Sequence, residues 1–373
     1  MRFISLQENL KRGLNTVGHI TTKNINLPIL NNILIKIEKG NIELIGTNLE
    51  IGIVQQLRGK IESDGEFTVD SKLITEYVNL LSGGEKVELE EKDGELKVEC
   101  GKYKTKIKGE SAKEFPLIPS IPKNNCISCL VNDFKKGLNG VIFAVSNSEN
   151  RVELTGILFS FSKNKLSLAA TDSYRLAESE INLKENLNED QKIIVPARTA
   201  QELLRILNSI DSDLTNESSD IKIYLTENQV LFSFDSVDLI SRLINGHYPD
   251  YKQIIPTKNQ TEVLVERAEL LRAVKAAALF SKTGINDVTL CFVKNKITIS
   301  AFSGASGESQ IEVGAEIIGP DNEITINYRY LIDGLNNIGG ERVKIGILNN
   351  NSPCLLKPEK DNGYLYIVMP IKQ

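Results

Sequence analysis

A long-period internal repeat is the feature that most constrains the fold of this chain. The stretches KGNIELIGTN (39–48), KNKLSLAATD (163–172) and KNKITISAFS (294–303) each place a turn before alternating apolar residues. Ile42, Leu166 and Ile297 are equivalent positions, separated by 124 and 131 residues. This alternation predicts a half-buried strand that follows a hairpin turn. Three copies of so large a unit favour a closed or arc-like arrangement over an ordinary solenoid.

Helical segments recur with the same rhythm. A strand followed by an amphipathic helix is predicted at 67–81, 193–207 and 324–338, and a further helix upstream at 10–17, 134–141 and 270–277. Asp70 and Asn327 are expected N-caps, and Pro196 is expected in the first helical turn. Each unit thus holds two helices and about eight strands, so the predicted class is α+β, with helices packed on antiparallel sheets. Proline-containing segments close the first two units and predict domains at 1–123, 124–258 and 259–373.

Composition excludes several classes of protein. Hydrophobic residues make up 41% and charged residues 25%, as in a soluble globular protein, and no apolar run approaches a membrane span. The N-terminus lacks the apolar core of a signal peptide, which predicts a cytoplasmic protein. Five scattered cysteines argue against a disulfide framework, and Cys126–Cys129 is a CxxC without the further ligands of a zinc site. With two separate histidines, we predict neither a metal site nor a cofactor.

The distribution of charge suggests a basic surface on an acidic protein. The net charge is -5, yet the six predicted helices (5–20, 71–82, 132–147, 197–210, 266–282 and 327–339) carry twelve Lys and Arg against seven Asp and Glu. If all six helices lined one surface, it would attract phosphates without reading bases. The alternative, that these side chains only form solvated helix faces, has equal weight on charge alone.

Five motifs resemble one known family. Residues 26–53, LAATDSYRLA (168–177), IIVPARTAQELLRIL (193–207), LINGHYPDYKQIIP (243–256) and YIVMPIKQ (366–373) are similar to the β sliding clamp, the processivity subunit of bacterial DNA polymerase III. The resemblance covers the whole chain in order and includes the threefold repeat. It implies three similarly folded clamp domains per subunit and a head-to-tail homodimer that closes a ring around double-stranded DNA.

The function that the resemblance implies is tethering without catalysis. A closed ring stays on DNA through topology, and sequence-independent attraction to phosphates lets it slide. A polymerase held by the ring rebinds at high effective concentration, which raises processivity. The implied partners are DNA, the polymerase, the clamp loader and repair proteins, the proteins docking through short peptide motifs.

In the family, the segment at 168–177 helps form a hydrophobic cleft for these peptides between the second and third domains. Carried over by position, the cleft comprises Leu154, Thr171, Ser173, Tyr174, Arg175, Leu176, Pro249, Ile254, Ser352, Ile367, Val368, Met369, Pro370 and Ile371. Arg175 is expected to hold a polar group of the partner at the rim. Met369 suits varied partners because its side chain is adaptable.

Departures from the family pattern affect the cleft's peptide preference. Ser173-Tyr174 stands where the family commonly has Gly-His or Gly-Tyr, so Ser173 is expected to narrow the pocket. Lys252-Gln253 replaces a frequent arginine, and the tail ends in Lys372-Gln373. For Asp172, a turn residue that bonds the backbone is the favoured interpretation, because Asn48 occupies the equivalent turn. For Tyr174, Leu176 and Met369, burial in the core is the alternative to a place in the cleft.

Basic residues on the helices are the candidates for contact with DNA. They are Lys11, Arg12, Lys72, Lys136, Arg198, Arg205, Arg272 and Lys275, with Lys23 in a loop. Lys135 cannot point the same way as Lys136, because neighbours on a helix diverge by about 100°. Arg205 and Lys136 are the preferred choices.

The resemblance also implies a dimer interface. Leu279 and Phe280 lie after the first helix of the third unit, and their partner is the strand at 102–108, where Thr105 and Ile107 share a face. Alternating lysines would protect that edge until it is paired. The Gly-rich stretch 303–307 lacks the spacing of a phosphate loop and predicts a hairpin turn.

Two rival functions remain open at this stage. An enzyme could use Asp172 with Arg175, although no histidine, metal ligand or second carboxylate accompanies them. A scaffold unrelated to DNA could keep the repeat without a basic surface or a peptide cleft.

Overall fold

The structure, a computed structural model, describes residues 1–21, 25–210, 219–361 and 363–371. By internal contacts the chain divides into two compact units. The first contains residues 1–131 and 205–243, and the second contains residues 132–204 and the chain from residue 244 onward. The domain limits at 123/124 and 258/259 remain predictions.

The described residues form six α-helices where the apolar periodicity predicts them: α1 (Gln7–Gly18), α2 (Ser71–Asn79), α3 (Val131–Ile142), α4 (Ala197–Ile210), α5 (Arg267–Ala278) and α6 (Tyr328–Asn337). The predicted N-caps are confirmed, because Asp70 accepts the N–H of Leu73 at 2.7 Å and Asn327 accepts that of Arg329 at 2.9 Å. Pro196 is instead the last residue of the preceding strand, one position before α4.

Strands make up most of the remaining chain. In the first half they are β1 (Arg2–Leu6), β2 (Asn32–Glu38), β3 (Asn41–Thr47), β4 (Ile51–Leu57), β5 (Gly59–Ser63), β6 (Gly65–Asp70), β7 (Lys86–Lys92), β8 (Glu95–Cys100), β9 (Tyr103–Glu110), β10 (Ile127–Leu130), β11 (Gly156–Ser162), β12 (Lys165–Thr171) and β13 (Arg175–Asn182). In the second half they are β14 (Gln191–Pro196), β15 (Asp220–Leu225), β16 (Gln229–Phe234), β17 (Val237–Arg242), β18 (Thr261–Glu266), β19 (Asp287–Val293), β20 (Lys296–Ser303), β21 (Gly307–Ile318), β22 (Asn322–Asn327), β23 (Arg342–Ile347), β24 (Cys354–Pro358) and β25 (Tyr364–Val368).

In the first unit thirteen strands form an antiparallel sheet in the order β10-β15-β16-β17-β4-β3-β2-β6-β9-β8-β7-β1-β5. Helix α1 buries Leu10, Leu14 and Val17 completely against this sheet. A side chain at Gly13 would come within 2.8 Å of Leu44, so this glycine lets the helix approach the strands closely.

In the second unit twelve strands form an antiparallel sheet in the order β14-β11-β12-β13-β25-β24-β23-β18-β21-β20-β19-β22. Helix α6 lies on Tyr366, since a Cβ at Gly334 would sit 2.3 Å from the tyrosine ring. The Tyr366 hydroxyl donates to the backbone oxygen of Tyr330 at 2.8 Å. The predicted α+β class, with helices on antiparallel sheets, is confirmed.

The threefold repeat is visible in three matching hairpins. Two-residue turns begin at Lys39, Lys163 and Lys294, which have φ angles of 53°, 51° and 50°. The apolar residues that alternate after each turn are buried, as predicted. The Gly-rich stretch at 303–307 joins β20 to β21, which confirms the predicted hairpin turn.

In each unit the last strand of one antiparallel meander pairs with a strand from a later part of the chain. Two other strands have an edge without such a partner. In the first unit β4 pairs with β17, Ile53 opposite Leu239; in the second unit β13 pairs with β25, Ala177 opposite Tyr366. Among the described residues, 103–108 of β9 pair only with β8, and 307–314 of β21 pair only with β20. The predicted open edge at 102–108 is therefore present, although β9 is not the last strand of its sheet.

Candidate functional site

A tight turn joins β12 to β13 in the second unit and organises the candidate site. The Thr171 hydroxyl donates to the backbone oxygen of Arg175 at 2.6 Å and accepts the N–H of Ser173 at 3.1 Å. One carboxylate oxygen of Asp172 accepts the N–H groups of Tyr174 and Arg175, at 2.9 and 3.0 Å. Ser173 has a φ of 79°, a left-handed conformation that favours glycine. Asp172 thus has the turn geometry that its favoured interpretation requires.

Arg175 is held under this turn by two carboxylates. Its Nε donates to Asp172 Oδ2 at 3.0 Å and its Nη1 to Asp333 Oδ2 at 2.5 Å. The guanidinium also lies 4.8 Å from the ring centre of Tyr330 and 5.6 Å from that of Phe143. Only 12% of the side chain is exposed. This arrangement fixes the turn against α6, and the predicted contact of Arg175 with a partner stays a prediction.

The balance of burial and charge keeps Arg175 protonated. Burial by itself lowers the pKa of the guanidinium, whereas the carboxylates of Asp333 and Asp172 raise it. The net shift of the pKa is upward. The charge is therefore stable at all physiological pH values and can anchor both carboxylates.

Tyr174 forms an exposed aromatic wall above Arg175. The side chain is 63% exposed and stacks on Tyr330, with ring centres 6.4 Å apart and planes at 16°. The backbone oxygen of Tyr174 accepts the N–H of Met369 at 2.8 Å, which holds the C-terminal segment beside the turn. This exposure argues against a core role for Tyr174.

An apolar floor lies beside the turn. Its fully or nearly buried members lie on neighbouring strands and on residues 244–255, here called the crossing segment. They are Leu158, Ala169, Leu176, Ile194, Tyr251, Leu355 and Ile367. Partly exposed apolar side chains pack on it: Ile244, Tyr248, Ile255, Leu365 and Met369. Leu176 is completely buried, so it belongs to the floor, whereas Met369 lies at the surface of the cluster.

Two tyrosines tie the crossing segment to the strands. Tyr248 accepts the N–H of Thr171 at 3.1 Å, and Tyr251 donates to the buried carboxylate of Glu178. Burial raises the pKa of both tyrosines, and the Glu178 charge raises that of Tyr251 further. Both hydroxyls therefore stay protonated, and Tyr251 remains a donor that satisfies Glu178.

The predicted cleft residues do not all occupy one place. The structure brings Thr171, Ser173, Tyr174 and Arg175 together in the turn, with Leu176, Ile367, Val368 and Met369 on or beside the floor. The backbone oxygen of Pro249 accepts the N–H of Tyr251. Tyr251 begins a short helical turn that ends at Ile254, and 38% of the surface of Ile254 is exposed. Pro370 and Ile371 are tied to β22 by a bridge to Ile326 and by the 2.8 Å bond from Ile371 N to Thr325 O.

Leu154 and Ser352 lie outside the floor. Leu154 is buried within the short helix Glu149–Thr155, whose Arg151 reaches Ser173 Oγ at 3.4 Å. Ser352 donates to Asn349 within its own loop. Their places in the cleft remain predictions.

Residues far apart in sequence complete the site and were not predicted from it. Asp333, Tyr330 and Phe143 surround Arg175, and Tyr248 and Tyr251 cover the floor. The tyrosine pair around Pro249 is visible in the sequence as YPDY, a signal that could have found it. No local pattern in α6 marks Asp333 as the partner of an arginine 158 positions earlier.

The predicted DNA-facing residues lie on the helices, and several have partners. Lys72 is 3.7 Å from Glu76, and Lys136 is 3.0 Å from Asp361. Arg205 donates to the backbone oxygens of Asn15 and Thr16 at the end of α1, at 3.3 and 2.7 Å. Lys11, Arg198, Arg272 and Lys275 are exposed, Arg12 is half-buried, and Lys23 lies outside the described residues. Within their observed bounds the six helices carry eleven basic and six acidic side chains, so the excess of five holds.

The predicted dimer residues lie on the open stretch of β9 and just after α5. Thr105 is half-buried and Ile107 buried on one face of β9, and Leu279 is 76% exposed just after α5, followed by a half-buried Phe280. Leu279 corresponds in the repeat to Phe143, which packs on Tyr366 with ring centres 5.4 Å apart. Tyr366 of β25 thus covers Phe143, whereas no described residue covers Leu279 to the same extent.

In the part of the chain that the structure describes, no group of three or more His, Cys, Asp or Glu is placed to hold a metal ion. Across the same residues, no helix is long and apolar enough to cross a membrane. The five cysteines are free thiols.

Comparisons with known proteins cover almost the whole chain. Three domain families match in order: the N-terminal domain of the DNA polymerase III beta subunit at residues 1–119, its central domain at 130–250 and its C-terminal domain at 252–372. A beta sliding clamp from Synechococcus elongatus is 29% identical over 377 residues, covering 100% of this chain and 99% of that protein. One from Staphylococcus epidermidis is 28% identical over 382 residues with the same coverage.

Solved structures show the same likeness. A putative DNA polymerase III beta subunit from Eubacterium rectale has a TM-score of 0.92 at 27% identity and covers 100% of both chains. A sliding clamp from Pseudomonas aeruginosa bound to griselimycin has a TM-score of 0.94 at 25% identity, again over 100% of both chains. The clamp from Bacillus subtilis has a TM-score of 0.92 at 26% identity, covering 100% of this chain and 99% of that one.

Proposed function

Because this chain belongs to the DNA polymerase III beta subunit family, we propose that it is a sliding clamp that encircles duplex DNA and tethers the replicative polymerase. The observation that carries the proposal is the match of all three beta subunit domains in order along the chain. The protein acts without catalysis, as a processivity factor in DNA replication. This role entails a cytoplasmic location, with the bacterial chromosome.

The assembly we propose is a head-to-tail homodimer in which β9 of one subunit pairs with β21 of the other. Support comes from the two pairings within the chain, β4 with β17 and β13 with β25. In the repeat, β9 is the counterpart of β17, and β21 is the counterpart of β4. Unlike their counterparts, β9 and β21 each have an unpaired edge. A two-subunit head-to-tail contact closes a ring instead of growing a filament.

The internal pairings also give a register for this interface. Thr105 corresponds to Leu239 and Ser309 to Ile53, so the β17–β4 register sets Thr105 opposite the partner's Ser309. The same register sets Lys106 opposite the partner's Glu308. Opposite charges on facing strands are favourable, by roughly 0.2–1 kcal/mol for each pair. In this register Leu279 of one subunit covers Thr105 of its partner.

Contact with DNA is assigned to the basic side chains of the helices. Their excess of five positive charges on a chain of net charge -5 supports attraction to phosphates without base recognition. Lys11, Arg198, Arg272 and Lys275 are the exposed candidates. Arg205 and Lys136, preferred from the sequence, have backbone or carboxylate partners to exchange for phosphate.

The cleft around Tyr174 and Met369 is assigned to short peptide motifs of the polymerase, the clamp loader and repair proteins. An apolar floor beside an exposed aromatic side chain suits an extended peptide with one or two apolar anchors. Two charged residues at this site, Arg175 and Glu178, already have partners within the chain. Apolar contact is therefore the main source of affinity here.

Retention on DNA of defined topology tests the clamp function. The purified protein is loaded onto nicked circular DNA with a bacterial clamp loader, and bound protein is measured before and after the circle is cut. We expect retention on the circle and loss within minutes of linearisation, because a ring slides off free ends. Equal retention on both forms would indicate surface binding and contradict the proposal.

Disulfide cross-linking tests the proposed register. Thr105→Cys and Ser309→Cys in one chain should give a covalent dimer under mild oxidation. The control combines Thr105→Cys with Gln310→Cys, whose side chain lies on the opposite face of β21 and should not cross-link. Efficient cross-linking of the control would mean a different register.

A further inference from the structure

The first unit contains a copy of the cleft turn. Thr47 donates to the backbone oxygen of Ile51 at 2.9 Å and accepts the N–H of Leu49 at 3.0 Å. Asn48 accepts the N–H groups of Glu50 and Ile51 at 3.0 and 2.8 Å. Leu49 has a φ of 73°, close to the 79° of Ser173. Each bond to a backbone group in the Thr171–Arg175 turn is therefore repeated at Thr47–Ile51.

The surroundings of the two turns are also equivalent. Gly52 faces Ile240 across the β4–β17 pairing, as Leu176 faces Ile367 across β13–β25. Arg242 donates its N–H to the backbone oxygen of Glu50 at 3.0 Å, the bond that Met369 makes to Tyr174. Arg242 thus occupies the position of Met369.

A cavity of about 100 Å³ lies at this second turn. Its rim, which we call the Arg242 groove, is formed by Leu49, Glu50, Leu117, Ile240 and Arg242. Leu49 is 44% exposed, and Leu117, which lies between Pro116 and Pro119, is 96% exposed. So large an exposed fraction is unusual for a leucine. A dry cavity of 150 Å³ can hold benzene, so this one has room for about one aliphatic side chain.

Two substitutions give the groove a different selectivity from the cleft. Gly52 stands where the cleft has Leu176, and Ile118 packs closely over it, since an added Cβ would be only 2.8 Å from the Ile118 Cδ1. Arg242 brings a positive charge where the cleft has a thioether. The Arg242 side chain is exposed and makes no salt bridge to any residue that the structure describes. A carboxylate is the group that complements it.

We propose that the Arg242 groove is a second docking site, for an extended acidic peptide segment of a partner protein. One aliphatic side chain enters the cavity between Leu49, Leu117 and Ile240, and a carboxylate next to it pairs with Arg242. The backbone of Glu50 is bonded to that of Arg242, and the Glu50 carboxylate repels a carboxylate on its own side of the rim, which restricts how the segment can lie. The argument takes the peptide-binding role of the cleft from the proposed function, and the groove is tested separately from it.

The test uses N-acetyl-leucine and N-acetyl-leucinamide as probes. Both carry the aliphatic side chain, and only the first carries a carboxylate. They are titrated into the full chain with labelled Leu and Ile methyl groups, and chemical shifts are followed by NMR. We expect saturable shifts at Leu49, Leu117 and Ile240, with the millimolar affinity usual for so small a ligand. The acid should bind about two- to fivefold more tightly than the amide, as one exposed ion pair allows.

Two exposed-residue variants complete the design. Arg242→Gln should reduce the acid to the affinity of the amide, and Leu117→Ser should weaken both probes. Because both side chains are exposed, neither change threatens the fold. Equal binding of acid and amide, or absence of shifts at Leu49, Leu117 and Ile240, overturns the inference. Shifts at Leu176 and Ile367 report the cleft alone, so failure of the cleft's role and failure of the groove are seen at different signals.

Discussion

The turn at Thr47–Gly52 in the first unit and the turn at Thr171–Leu176 in the second have the same backbone bonds and different outward side chains. Each has a threonine, an Asn or Asp, and a left-handed third residue. The fifth residue is Ile51 in one and Arg175 in the other, and only the second has carboxylates around it. The difference teaches that the repeated hydrogen bonds serve the fold, while the functional identity of each turn depends on the side chains added to it.

Substitution of the sixth residue should give the largest difference in stability between the two turns. Leu176 is fully buried in the cleft floor, so Leu176→Ala should lower the free energy of unfolding by about 2–5 kcal/mol. Gly52→Ala adds a methyl group against the movable end of Ile118 and should cost about 1 kcal/mol. Urea unfolding of both variants measures the two costs. Similar values would mean that the cleft floor contributes no more to stability than its counterpart.

The second residue of each turn should give an intermediate contrast. Asn48→Ala loses two hydrogen bonds to backbone N–H groups, at an expected cost of about 1–2 kcal/mol. Asp172→Ala loses the matching two bonds and also the salt bridge to Arg175, so we expect about 1–2 kcal/mol more, given that the pair is not fully buried.

Thermal or urea unfolding in an Arg175→Ile background isolates the contribution of that salt bridge. There, Asp172→Ala should cost no more than Asn48→Ala. An excess that persists without Arg175 would assign the difference to the turn itself.

The third residue should give the smallest effect, and one of opposite sign. Ser173 has a φ of 79°, which glycine adopts without strain. Ser173→Gly should therefore raise the free energy of unfolding by about 0.5–1 kcal/mol. Ser173→Ala keeps the strain and serves as the control. Equal stability of the glycine and alanine variants would show that the left-handed conformation carries no cost here.

The sequence predicted the repeating parts of the structure well, because their signals are local. Alternation around Ile42, Leu166 and Ile297 identified three hairpins, and Asp70 and Asn327 marked two helix starts. Helix ends were predicted up to five residues too late, since the apolar pattern continues past the last helical turn. In the site, Thr171 and Asp172 could be understood from Thr47 and Asn48, their repeat counterparts.

The surroundings of Arg175 could not be predicted from the sequence. Its partners Asp333 and Phe143 lie on α6 and next to α3, and they meet it only after the strands between them have paired. The family resemblance placed Arg175 at the rim of a cleft, whereas its observed contacts depend on tertiary packing. The Arg242 groove was missed for the same reason, because Leu49 and Arg242 are brought together by the β4–β17 pairing.

The charge alternation on β9 has a consequence for how the subunits find the right partner edge. Lys104, Lys106 and Lys108 lie on one face of β9, with Lys102 just before the strand, and Glu308 and Glu312 lie on one face of the open stretch of β21. Two β9 strands brought together would oppose lysine to lysine, and two β21 strands glutamate to glutamate, both unfavourable. In the proposed dimer, contact between unlike edges is therefore favoured over contact between like edges, and charge supports the head-to-tail polarity.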